Sequence, residues 1–143
     1  MLAVVTLGAD VSSSGNWTEM IDASDLVAGA GSDVTSQYES GSGAATLTIS
    51  NTAGASWRIL ARRSDSTWHG DFVLAVRRTS DGSGSGAVIG GSSYTQLSTL
   101  DTEIFSGSGD RSNIAVQYKL TGMSKIVSPN LYSSGITFVL LLP

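Results

Sequence analysis

Polar and apolar residues alternate strictly along three stretches of this chain. From Asn113 to Thr121, the residues Ile114, Val116, Tyr118 and Leu120 fall on one side, and Ala115, Gln117, Lys119 and Thr121 on the other. From Ala45 to Ser50, Leu47 and Ile49 oppose Thr46, Thr48 and Ser50. A period of two is that of a pleated strand with one buried face, so both stretches predict strands, with Val116 fully buried. Gly135 to Leu142 keeps the period but sets Ile136, Phe138, Leu140 and Leu142 against Thr137, Val139 and Leu141. A strand apolar on both sides is expected to be covered on both, with Phe138 fully buried. Trp17 to Ile21, Trp57 to Arg63, Phe72 to Arg78, Ala87 to Ile89, Tyr94 to Leu97 and Glu103 to Phe105 are shorter runs closed by turn residues. Helical periodicity is missing apart from one short turn after Asp22. Seven to nine strands punctuated by turn signals predict an all-β, antiparallel sandwich.

A length of 143 residues suits one domain with a real core. The expected division is an apolar strand over 1–9 and a sandwich domain over 10–143, with Asp10 to Gly15 as the linker between them. Seventeen glycines and many serines and threonines would suit a disordered chain, but Trp17, Trp57, Trp68, Phe72, Phe105 and Phe138 are interspersed among them and supply core material. The formal net charge of -4 and eight scattered cations argue against a nucleic-acid partner and against anionic membrane surfaces. Met1 to Ala9 resembles the apolar part of a secretory signal, lacks a basic flank and is too short to span a bilayer, so no membrane insertion is expected. With no cysteine, disulfides and thiolate metal sites are ruled out, whatever the compartment.

Candidate chemistry is sparse. His69 is the single histidine and no GxSxG elbow accompanies it, so no catalytic residue is expected. One histidine and no thiolate do not make a zinc or copper site. Asp22 with Asp25, and Asp101 with Glu103, are acid pairs without the spacing of a calcium loop, and they read as solvated loop residues. Gly82 to Gly86 precedes neither a Lys-Ser/Thr pair nor a helix, which makes it a hairpin tip rather than a phosphate loop. No metal or cofactor is therefore expected. Asn16 opens the single Asn-x-Ser/Thr sequon and is a candidate glycan acceptor. Trp68, in the polar stretch SDSTWHGD, is the candidate exposed aromatic for a sugar or other ligand.

The segment SPNLYSSGITFVLLLP, in which Pro129, Tyr132, Ile136, Phe138 and Leu140 mark a turn followed by an alternating strand, resembles the last strand of secreted pilin-like and spore-coat-U-like sandwich proteins. ASWRILARRSD, VRRTSDGSGSG, GGSSYTQL and FSGSGDRSNIAVQYKLTG extend the likeness over Ala55 to Gly122. The pilin pattern usually includes cysteines, and this chain departs from it there. The resemblance implies an Ig-like or pilin-like fold, an extracellular or cell-surface location and a non-enzymatic structural role. It also implies self-assembly, in which each subunit lends a strand to the next and forms a head-to-tail polymer. Leu2, Ala3, Val4, Val5, Thr6 and Leu7 have the form of such a strand, with Ala3, Val5 and Leu7 on one side. The same residues would serve equally as a first strand paired within their own chain. Two other functions fit the composition: a carbohydrate- or surface-binding module, and a virion or phage-tail component.

Overall fold

The computed structural model describes residues 8–143, which form two antiparallel sheets packed face to face. The first sheet holds β1 (Asp10–Gly15), β2 (Gln37–Glu39), β3 (Ala45–Ser50), β5 (Val73–Arg78), β6 (Ser83–Gly84), β8 (Thr95–Leu97) and β10 (Arg111–Thr121). Its order is β1-β3-β10-β5-β8, with β2 and β6 paired to the two ends of β10. The second sheet holds β4 (Ser56–Thr67), β7 (Val88–Ile89), β9 (Thr102–Ser108) and β11 (Ser133–Leu141), in the order β11-β4-β9-β7. The fold is therefore the all-β sandwich that the alternation predicts, but the described residues form eleven strands rather than seven to nine, because short pieces such as β6 and β7 are too brief to show a period.

The period-two stretches supply the interior. Leu47 and Ile49 of β3, Ile114 and Val116 of β10, Trp57 and Ile59 of β4 and Leu97 of β8 are all buried. Trp57 spends its indole N–H on the Gly109 carbonyl at 2.8 Å, and Phe105 meets it edge to face. Gly107 is required beside it, because a Cβ there would lie 2.5 Å from the Trp57 ring.

Other expectations change as well. Asp10 to Gly15 is not a linker but an edge strand, pairing with β3 from Asp10↔Ser50 to Gly15↔Ala45. Trp17 to Ile21 forms no strand. Phe138 is half-buried rather than fully buried, and β11 is not fully covered on both faces: Ile136 to Leu140 are all half-buried and Leu141, on the face away from the core, is 37% exposed, while among the described strands β11 is the outermost of its sheet. Last, Gly82 to Gly86 is not a hairpin tip: Ser83–Gly84 pairs with β10 in the first sheet, while the next strand, β7, belongs to the second.

The registers define two ends of the sandwich. Asp10, Ser50, Ser56, Arg111 and Leu141 lie at the upper end and Thr67, Val73, Thr121 and Ser133 at the lower end, with Gly15 and Ala45 midway, level with Val116.

Candidate functional site

At the upper end the loops close on themselves. Arg111, only 9% exposed, donates from Nη1 to the carbonyls of Gly84 (2.9 Å) and Gly86 (2.8 Å), and from Nη2 to that of Asp81 (2.8 Å). The glycine stretch thus forms a collar of carbonyls around a buried guanidinium. A buried charge without a carboxylate partner is tolerable because these dipoles replace its hydration. Nearby, Asp110 Oδ1 accepts from the Thr52 amide (3.0 Å) and hydroxyl (2.7 Å), fixing the turn between β3 and β4. Those bonds, the hydroxyl first and the amide second, hold the Asp110 carboxyl below the usual carboxylate range.

The lower end is open. Beyond Gly15 the chain leaves β1, whereas β11 begins at Ser133, and the two sheets part over a cleft of about 850 Å³. Its walls are apolar and aromatic: Leu74, Tyr118 and Leu120 from the first sheet, Ile136 and Phe138 from β11, and Trp68. Alternation explains the sheet residues, since each lies on the inward side of its strand. Trp68 belongs to the connection from β4 to β5, where it meets Phe72 edge to face at 5.4 Å and carries the Arg63 guanidinium over its ring at 4.8 Å. It is half-buried, not the exposed aromatic expected of a polar loop. At the rim of the cleft, Leu131 is 83% exposed.

The remaining candidates are scattered. Asn16 is exposed at the mouth of the cleft. His69 accepts the Asp71 amide at Nδ1 (3.2 Å) and packs edge to face on Tyr132; among the described residues no serine hydroxyl bonds to it. Asp22 and Asp25 form a capping box on the 3-10 turn Ala23–Asp25. Asp101 is paired with Arg62 and Glu103 with Arg58. Among the described residues no three His, Asp or Glu side chains gather to hold a metal ion, and no helix is long and apolar enough to cross a membrane. Leu2, Ala3, Val4, Val5, Thr6 and Leu7 lie outside the described residues.

The cleft itself escaped the sequence because its walls come from four distant stretches. Alternation puts Tyr118 on the same face as Ile114 and Val116, but nothing local indicates that the space before it is left unfilled. Compared with known proteins, the chain matches no protein-family model, no curated protein and no solved structure.

Proposed function

We propose that this protein is a structural subunit of an extracellular filament, and that Leu2 to Leu7 of one copy enters the lower cleft of the next. One observation supports this most: the described chain starts at the upper end, beside Ser50 and Leu141, while the apolar cleft opens at the lower end. A strand offered at one end and received at the other makes a heterologous contact that need not close, so copies add in a line. β11 offers the recipient edge, since no described strand pairs with its outer side. Strand addition draws affinity from main-chain bonds and specificity from alternate side chains.

Topology then dictates polarity. β11 runs from the lower to the upper end. A strand arriving from a neighbour below has Leu7 at the mouth and Leu2 deepest, hence lies antiparallel to β11. Folding back within its own chain, the same segment would turn sharply at Gly8 and Ala9 and lie parallel to β11. The antiparallel pairing that sets Val4 against Val139 and Thr6 against Thr137 also places Leu7 and Val5 over Ile136 and Phe138, which line the cleft. Ala3, the smallest, falls over Leu140.

The chain has no cysteine, so introduced pairs report cleanly. Full-length Val4→Cys/Val139→Cys should form fibres in electron micrographs and, on oxidation, a ladder of covalent oligomers, whereas Thr6→Cys/Leu141→Cys should not link. Compact monomers, or a link formed within one chain, would overturn the reading. The aromatic lining of the cleft favours the second reading, a carbohydrate- or surface-binding module, for which monomers that bind a glycan are the distinguishing result.

A further inference from the structure

A strand laid along a sheet edge spends only half of its main-chain groups on the ladder. The other half still needs partners once water is excluded. The cleft holds donors to meet that need. Tyr118 is 7% exposed and lines the cleft, where its hydroxyl, bonded to no described residue, is not shut off from water until the cleft is filled. Trp68 lines the same space, and its indole Nε1 is out of solvent without a partner. Other aromatic donors are spent: Trp57 on the Gly109 carbonyl, Trp17 on Glu19 and Tyr132 on the Ser128 carbonyl at 2.7 Å. The hydroxyls of Tyr38 and Tyr94 also lack partners, but neither residue lines the cleft.

Resting on the assembly reading above, we propose that Tyr118 and Trp68 are the specificity-determining donors of the cleft, giving O–H and N–H to main-chain carbonyls of the inserted strand. The chemistry of the occupant supports this. Leu2 to Leu7 carries no acceptor except its carbonyls and the Thr6 hydroxyl. A site built around such donors rejects an occupant that lacks acceptors, because the donors are then buried unpaired. An alkyl chain of the same girth is excluded on that ground, and an extended peptide is accepted. Burial pushes the Tyr118 phenol up to about 12, so it remains a donor throughout the neutral range.

The test uses the full chain and its critical concentration for assembly, read by sedimentation. Tyr118→Phe and Trp68→Phe should each raise it roughly tenfold, the effect of losing one buried hydrogen bond. Tyr94→Phe removes a hydroxyl that is buried without a partner but remote from the cleft, and should change nothing. Hydrogen exchange of the Trp68 indole should slow further on assembly. Should Tyr118→Phe assemble like the wild type, or Tyr94→Phe shift as much, the donor role is overturned while the wild-type fibres still uphold strand insertion. A wild-type chain that does not assemble removes both. If Trp68→Phe fails to fold, the Tyr118 and Tyr94 variants decide.

Discussion

The two ends of the sandwich solve the same problem in opposite ways. At the upper end, polar groups are used up internally: Arg111 fills a collar of carbonyls, Asp110 takes both donors of Thr52, and Trp57 finds Gly109. At the lower end, apolar walls stand apart and the Trp68 indole N–H, out of solvent, has no partner among the described residues. Closed hydrogen bonding makes an end rigid and self-sufficient, while open apolar surface with unspent donors suits an end that receives something. The sheet edges follow the same division of labour. β7, two residues long, ends the second sheet on one side, whereas β11 leaves nine residues of edge on the other. Short edge strands discourage pairing with another chain and long apolar ones invite it.

The contrast can be broken most sharply at Arg111. Arg111→Ala should cost on the order of 3–5 kcal/mol, since it removes a well-packed side chain and strands several carbonyls. Urea unfolding should show this loss with or without assembly. A smaller, graded test compares two phenylalanines. Phe105, 3% exposed under Trp57, should lose about 3–5 kcal/mol on truncation to Ala. Phe138, half-buried beside the cleft, should lose about half as much in the unassembled chain, because part of its surface already meets solvent. In assembled material the two values should converge, and unchanged values for Phe138 would mean that nothing covers it.

The smallest effect concerns acid. The Asp110 carboxyl is held below its ordinary value by Thr52, so its contribution is present above the unfolded-state value and is lost as pH falls through the folded one. Thermal midpoints should therefore drop as pH falls below about 4, the ordinary aspartate range. In Asp110→Asn that part of the decline should be absent, and the variant should be less stable than the wild type at neutral pH. A parent and variant with parallel pH profiles would place the acid sensitivity elsewhere.

Much of the framework was legible in the sequence, because alternation reports a half-buried strand directly. Ala45 to Ser50 was read with its bounds, and Arg111–Thr121 and Ser133–Leu141 begin only two residues before the predicted stretches. β1 was hidden for a physical reason: an edge strand needs little apolar surface, and Val11 is its one large apolar residue. Trp17 misled in the opposite sense, since an aromatic that packs from an irregular segment resembles the start of a strand. Trp68 sits among polar neighbours, so burial could not be inferred without knowing that Phe72 and Arg63 fold against it. The collar around Arg111 joins residues some thirty positions apart, a separation that no local pattern encodes.

The direction of β11 has a mechanical consequence. Pulling between the upper and lower ends loads β11 and β4 along their lengths, and their ladder, from Ser133↔Thr67 to Leu141↔Arg58, lies across that line. Antiparallel ladder bonds run perpendicular to their strands, so tension shears the set together instead of opening it one bond at a time. Endurance under load is then set by the rate of unfolding rather than by the equilibrium stability of the domain.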